Sequence, residues 1–206
     1  MLPQKIVVFG GSSIAGVGDP VGGGFIDRLK RWHQLQNPTN ILFNLGVNGD
    51  TTNELISRLL PEAALRKPGL IIISVGSNDV YRKDSINAPK QTTLENYKSN
   101  IHKLIEQSLS LCPVVFLSAF PINESKTTPM KGWGHTTFYL KKDQEEYQEA
   151  AKQICLDLNI PYCDVYSEWL KHDYTTWLTE DGLHANPAGH EKVFIFLKNF
   201  LKNLHF

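Results

Sequence analysis

The sequence predicts a single α/β domain in which a parallel β-sheet is covered by helices on both faces. Five short β-branched runs are apolar at successive positions, as is typical of strands buried on both faces. Segments with apolar residues every three or four positions lie between them, as in amphipathic helices. Regular alternation of the two produces this architecture. Because such alternation can place 206 residues around one core, we expect one domain over residues 1–206.

The elements follow in order along the chain. Strands are predicted at residues 5–9, 40–43, 70–75, 113–117 and 161–165, and helices over 25–32, 55–60, 94–105 and about 139–158. A last helix begins cleanly, because Asn186 can accept backbone hydrogen bonds as N-cap and Pro187 suits the first turn. Residues 119–138 show no regular pattern, and an irregular segment of that length is usually functional or mobile.

Composition excludes several classes of partner. Lys and Arg total 21 and Asp and Glu total 21, so no net charge attracts nucleic acid or an anionic membrane. Apolar runs are far shorter than the roughly 20 residues that cross a bilayer. We therefore expect a small, uncharged or weakly charged partner, and the sequence carries no signal for the oligomeric state.

The termini and cysteines suggest a compartment. Met1 leads almost directly into the first strand, which leaves no room for a signal peptide, so we expect a cytoplasmic protein. The three cysteines, Cys112, Cys155 and Cys163, are odd in number and have no CxxC spacing. Their apolar surroundings indicate buried, inert thiols in a reducing environment.

The loop after the first strand, residues 10–16, is rich in glycine and serine. A phosphate-binding loop would need lysine where Val17 stands, and the dinucleotide-binding pattern fails because no glycine follows at the required position. Either Ser12 is a hydroxyl nucleophile or the segment is a structural turn. In open α/β sheets ligands bind at the carboxyl ends of the strands, where this loop lies.

Two further loops reach the same edge of the predicted sheet. Residues 44–52 contain glycines that allow close approach to a ligand, and Thr51 or Thr52 can cap the next helix. Residues 76–79 place Asn78 at the third strand end. A neutral amide donor suits an oxygen that becomes negative only in a transition state, although each loop taken alone is more typical of a structural turn.

Asp181 and His184 precede the final helix with a spacing of three. In a turn or helix this spacing puts both side chains on one side, so the carboxylate can orient the imidazole for proton transfer. A capping Asp with a surface His is the structural alternative. A metal site that uses Asp181, His184 and His190 lacks a further ligand cluster.

Together these four blocks resemble the SGNH/GDSL hydrolases, a family of esterases and lipases. Any one block is weak, but the ordered set is specific and covers nearly the whole chain. The matching blocks are Gly10–Ser13, Asn44–Thr52, Gly76–Asp79 and Asp181–His184. The chain also lacks the G-x-S-x-G elbow of the α/β-hydrolases.

The resemblance implies a role for each matching residue. Ser12 would be the nucleophile, His184 its base and Asp181 the orienting acid. The oxyanion hole would comprise the backbone amides of Ser12 and Gly49 and the side chain of Asn78. The resemblance further implies a flavodoxin-like sheet of strand order 2-1-3-4-5, ester hydrolysis through an acyl-enzyme, and no cofactor.

The first block departs from the family pattern. Gly11 stands where the family usually has Asp, and Ser13 where it has Leu, which makes Ser13 a conceivable substitute nucleophile. The missing carboxylate motivates one alternative, an inactive member that binds a carbohydrate or lipid. A second alternative is a metal-dependent phosphoesterase that uses Asp79 with Asp181 and His184.

The irregular segment after the fourth strand is the candidate for substrate selection. It contains Trp133, His135 and Phe138, which could line a pocket for the substrate or could pack the segment against the domain. Within the family, the substrates left open are short-chain carboxylic esters, lysophospholipids, thioesters and acetylated sugars.

Overall fold

Five parallel strands form the central sheet in the computed structural model, which describes residues 2–132 and 134–205. The strands of the protein are β1 (Lys5–Gly10), β2 (Ile41–Gly46), β3 (Leu70–Ser74), β4 (Arg82–Lys83), β5 (Val114–Leu117), β6 (Met130–Gly132), β7 (His135–Phe138) and β8 (Tyr162–Cys163). The central sheet has the order β2-β1-β3-β5-β8 and its strand pairs are parallel. Counted within this sheet, the order is 2-1-3-4-5, as predicted.

Helices cover both faces of the sheet. They are α1 (Ser12–Ala15), α2 (Gly24–Gln36), α3 (Thr52–Arg66), α4 (Leu94–Leu109), α5 (Glu124–Thr127), α6 (Lys141–Asp157), α7 (Val165–Trp169) and α8 (Pro187–Lys202), with a 3₁₀ turn at Tyr174–Trp177. Alternate residues of β1 point to opposite faces, so Val7 and Phe9 pack with α3, α4 and α6, whereas Ile6 and Val8 pack with α2 and α8. The predicted three-layer architecture is confirmed.

Three sequence expectations need correction. The sequence predicts a second strand buried on both faces, but β2 lies at the sheet edge and Ile41 is 37% exposed. The fifth strand ends early, because the Asp164 carboxylate accepts a hydrogen bond from Ser167 N and starts α7 at Val165. Residues 119–138 are not irregular throughout, since they contain α5, β6 and β7.

A second, antiparallel sheet rises beside the carboxyl ends of the central strands. Its order is β4-β7-β6, so the short β4, which follows the third central strand, pairs with a segment more than fifty residues later. Arg82 on β4 donates two hydrogen bonds to the Asp143 carboxylate of α6, at 2.7 and 3.0 Å. These charge-assisted bonds attach the small sheet to α6, one of the helices that cover the central sheet.

The predicted helix caps form. Asn186 Oδ1 accepts from Gly189 N at 3.0 Å and Pro187 opens α8, while Thr51 caps α3 with Glu54 bonding back to Thr51 N at 2.9 Å. Both caps fix loops that lead from the carboxyl edge of the sheet. Within the described parts of the chain, no helix is long and apolar enough to cross a membrane.

The thiols do not pair with one another. Cys112, Cys155 and Cys163 are free; Cys155 and Cys163 are buried, and Cys112 is only partly buried, in contrast to the expectation for all three. Burial raises the pKa of Cys112 to about 11 and that of Cys155 to about 12, so both remain protonated and unreactive near neutral pH.

Candidate active site

The carboxyl ends of the central strands bring the first three sequence blocks to one point. The last residue of β1, Gly10, lies opposite Gly46 of β2 and Ser74 of β3. The loops that follow these strands therefore start side by side. The fourth block, Asp181–His184 just before α8, reaches the same point, because His184 contacts Ser12.

Ser12 is the first residue of α1 and directs its hydroxyl toward the fourth block. Its Oγ lies 2.9 Å from His184 Nε2, a bond between residues 172 positions apart. The neighbouring Ser13, the conceivable substitute, makes no hydrogen bond to His184, so the geometry agrees with the assignment of Ser12 that the resemblance implies. As the first residue of a helix, Ser12 has a backbone N–H without an intrahelical acceptor.

The imidazole of His184 is held from behind by Asp181. His184 Nδ1 lies 2.7 Å from Asp181 Oδ2, and Asp181 Oδ1 accepts from the backbone N–H of Leu183 at 2.8 Å and of His184 at 3.0 Å. The Thr179 hydroxyl donates to the same oxygen at 2.6 Å. Because the Asp181 carboxylate can only accept a hydrogen bond, the imidazole of His184 carries its proton on Nδ1. Its Nε2 is then the acceptor for the Ser12 hydroxyl.

Burial and hydrogen bonding shift the pKa of Asp181 in opposite directions. Burial favours the neutral acid, but the hydrogen bonds from His184, Thr179 and Leu183 outweigh it and hold the pKa of the Asp181 carboxyl well below its ordinary value. The carboxylate is therefore charged at neutral pH. It can stabilise a positive charge that develops on His184 during proton transfer.

Asn78 and Gly49 lie beside Ser12 on the wall of the same cavity. Asn78 Nδ2 donates one hydrogen bond to the Asp50 carbonyl at 3.0 Å, which leaves its second N–H for another acceptor. Gly49 has φ +87° and nothing lies within 4 Å of where its Cβ would be, so its backbone is open to a ligand. The three residues to which the resemblance assigns the oxyanion hole thus border one space.

The cavity in front of Ser12 has a volume of about 320 Å³. It is bordered by the residues already described and by side chains that the sequence analysis did not identify. The lining comprises Ser12, Val17, Asn48, Gly49, Asn78, Tyr81, His135, Tyr139, Leu183 and His184. Of the three predicted substrate contacts, His135 lines it, Phe138 does not, and Trp133 falls outside the described residues.

Tyr81 and Tyr139 form the aromatic wall with His135. Tyr81 lies with its ring 6.3 Å from that of His135 and 5.4 Å from that of Tyr139. Tyr81 lies two positions after the Gly76–Asp79 block. An aromatic residue so close to a candidate block could have been identified from the sequence as part of the cavity wall. No local pattern marks Tyr139, which reaches the site through the small sheet.

The side chains that a metal site would need do not come together around one point. Asp79 is fully buried and accepts from Thr52 N at 3.1 Å and from the Thr52 hydroxyl at 2.6 Å, which ties it to the start of α3. Both ring nitrogens of His190 are engaged, by Phe25 N and by the Val17 carbonyl. Within residues 2–132 and 134–205, no three His, Cys, Asp or Glu side chains group as metal ligands.

Comparison with known proteins agrees with the geometry. The model of the GDSL-like lipase/acylhydrolase family matches residues 8–192. An acetylxylan esterase of Geobacillus stearothermophilus is 25% identical to this protein, over 79% of this chain and 71% of the esterase. The GDSL esterase/lipase WDL1 of Oryza sativa is 27% identical, over 77% of this chain and 63% of the rice protein. The chain thus spans less than two thirds of the rice relative.

A solved structure shares the fold. The lipase/acylhydrolase of Enterococcus faecalis superposes with a TM-score of 0.78 at 24% identity, over 97% of this chain and 95% of that one. The match to the family model extends over all four sequence blocks and most of the chain. The chain belongs to the GDSL-like lipase/acylhydrolase family of ester-cleaving hydrolases.

Proposed function

We propose that the protein is a serine esterase that works through an acyl-enzyme on Ser12. The observation that carries this proposal is the unbroken series of contacts from Ser12 Oγ to His184 Nε2 at 2.9 Å and from His184 Nδ1 to Asp181 at 2.7 Å. A hydroxyl is a weak nucleophile until an adjacent base takes its proton, and a base works best when a third group orients it.

In the proposed first step, Ser12 Oγ bonds to the ester carbonyl carbon while His184 Nε2 takes the hydroxyl proton. The carbonyl oxygen becomes an oxyanion that accepts hydrogen bonds from Ser12 N, Gly49 N and Asn78 Nδ2. The tetrahedral species then collapses, and the alcohol leaves with the proton that His184 returns to it. Water, deprotonated by His184, attacks the acyl-enzyme, and the carboxylic acid leaves as Ser12 regains its proton.

Two of the spaces that Ser12 borders suggest how the ester lies. A small space of about 20 Å³ lies between Ser12, Asn78 and His184 on one side and Ala119 and Ile122 on the other. We assign it to the acyl group, which then must be short. The alcohol lies in the larger cavity against His135 and Tyr81, and the acetylxylan esterase among the relatives makes an acetylated sugar the leading candidate for the substrate class.

A fluorophosphonate probe tests the nucleophile directly, because it forms a covalent bond only with an activated hydroxyl. We expect one label per chain, on the peptide that carries Ser12, and none in Ser12→Ala. Ser13→Ala is the matched control and should be labelled like the wild type. Labelling that survives Ser12→Ala would contradict the assignment.

The same preparations distinguish the alternatives. Hydrolysis of p-nitrophenyl acetate should survive EDTA and disappear in Ser12→Ala. Hydrolysis of p-nitrophenyl phosphate that is lost on chelation would favour the metal-dependent phosphoesterase. A folded wild type that neither takes the label nor hydrolyses esters would favour an inactive binding protein.

A further inference from the structure

The Asn78 carboxamide can serve as an oxyanion donor in only one of its two flipped orientations. Rotation by 180° exchanges Nδ2 and Oδ1 at nearly the same shape, and the reversed amide would present an acceptor to the oxyanion. The protein must therefore fix the flip. Two contacts of this side chain are informative.

The first contact is with the backbone. Asn78 Nδ2 lies 3.0 Å from the Asp50 carbonyl, which can only accept a hydrogen bond. One N–H of the amide is therefore directed at Asp50. The second N–H remains for the cavity in front of Ser12, which Asn78 borders.

The second contact is with Tyr139. Its hydroxyl lies 3.4 Å from Asn78 Oδ1, across 61 positions of sequence. Tyr139 is 2% exposed, and burial raises the pKa of its phenol far above the ordinary value, so the hydroxyl keeps its proton and can donate. A bond of this length is weak in the resting enzyme, but catalytic contacts often tighten as charge develops.

The backbone of Tyr139 is itself immobilised. Tyr139 N donates to the Thr127 carbonyl at 3.1 Å, and the hydroxyls of Thr127 and Thr128 donate to the Tyr139 carbonyl at 3.0 and 2.7 Å. The ring stands against Tyr81, with 5.4 Å between centroids. These contacts hold Tyr139 in one position beside the Asn78 amide.

We propose that Tyr139 is a positioning residue that holds Asn78 with its amide nitrogen toward the oxyanion. By donating to Oδ1, the phenol opposes the reversed orientation and polarises the amide so that its free N–H becomes a better donor. This role rests on the proposed function, since it concerns the transition state of the same reaction. In this proposal the antiparallel sheet contributes to catalysis, because its strand β7 directly precedes Tyr139 and fixes where that residue lies.

A double-mutant cycle tests the role. Asn78→Ala should lower kcat by about 100- to 1000-fold, as loss of one oxyanion donor usually does. Tyr139→Phe should lower kcat and kcat/KM together by about 5- to 10-fold with KM unchanged, the effect of one neutral hydrogen bond felt only in the transition state. In the Asn78→Ala background, Tyr139→Phe should cause no further loss, since the two groups act as one.

Tyr147→Phe is the matched control. Tyr147 is a fully buried tyrosine whose hydroxyl donates to the Thr92 carbonyl at 2.6 Å rather than to Asn78. This variant measures what removal of a buried phenol oxygen does to the fold, and we expect kcat near that of the wild type. The thermal unfolding temperature of each variant is measured alongside.

The outcomes separate the two proposals. Additive losses, so that Tyr139→Phe costs as much without Asn78 as with it, would overturn the positioning role and leave the esterase proposal intact. A Tyr139→Phe variant whose KM rises at constant kcat would also overturn it. A wild type that hydrolyses no ester and takes no fluorophosphonate would overturn both.

Discussion

Asp181 contacts His184 twice, through Nδ1 of the ring at 2.7 Å and through the backbone N–H at 3.0 Å. The two bonds use different carboxylate oxygens, so the side chain and the backbone of one histidine are fixed by one acid. Gly182, with φ +70°, lets the chain turn back between them. The orientation of His184 is therefore built into a four-residue turn.

Replacement of Asp181 by Asn should abolish most of the activity. The amide cannot balance the charge on a protonated His184, and its N–H group favours the wrong tautomer of the ring. We expect kcat for p-nitrophenyl acetate to fall by about 10⁴-fold. Glu180→Gln, which neutralises the exposed neighbouring carboxylate, is the control and should leave kcat nearly unchanged.

The lowered pKa of Asp181 also predicts a pH dependence of stability. Because the pKa is lower in the folded than in the unfolded chain, the carboxylate stabilises the fold above about pH 4, and this contribution is lost as the pH falls below that value. The wild type should therefore exceed Asp181→Asn in unfolding free energy by more at pH 5 than at pH 3. Urea denaturation at both pH values measures this, and a difference that grows on acidification would refute it.

Gly11, where the family usually has Asp, leaves room for the Asn78 amide. A Cβ at this position would lie 3.0 Å from Asn78 Nδ2, so any side chain must displace the amide by a few tenths of an ångström. The φ of Gly11 is −90°, which other residues adopt freely, so the fold should tolerate the change.

Gly11→Ala should consequently lower kcat by about tenfold while the unfolding temperature stays within a few degrees of the wild type. Steady-state kinetics and a thermal melt on the same sample measure both quantities. Unchanged kcat would show that the amide does not depend on this space.

The small space beside Ser12 predicts a preference for short acyl chains. Among p-nitrophenyl esters, we expect kcat/KM to be highest for acetate and lower by about 100-fold for octanoate, because a long chain has no room there. A flat or rising profile would place the acyl chain in the larger cavity instead.

Ile122→Val should relax this preference. The change removes one methyl group from the wall of the small space, at a stability cost of about 0.5 to 1.5 kcal/mol, and should raise the butyrate-to-acetate ratio severalfold. Ile101→Val is the matched control, because Ile101 is buried in α4 away from the cavity. An equal change of the ratio in both variants would contradict the assignment.

Local sequence was sufficient for the features that depend on neighbours along the chain. The alternation of apolar strands with amphipathic helices predicted the parallel sheet of five strands, and Asn186 and either Thr51 or Thr52 predicted the caps of α8 and α3. The spacing of Asp181 and His184 predicted their contact, because a turn of four residues closes on itself. These features follow from periodicity, capping chemistry and short-range geometry.

Long-range packing decided the rest. The contact between Ser12 and His184 joins residues 172 positions apart, so it depends on how the chain folds rather than on any local pattern. Likewise β4, only two residues long, carries no periodicity of its own and exists because β7 supplies its hydrogen bonds. Tyr139 reaches Asn78 only through that small sheet, because no pattern within a few residues of either encodes a contact across 61 positions.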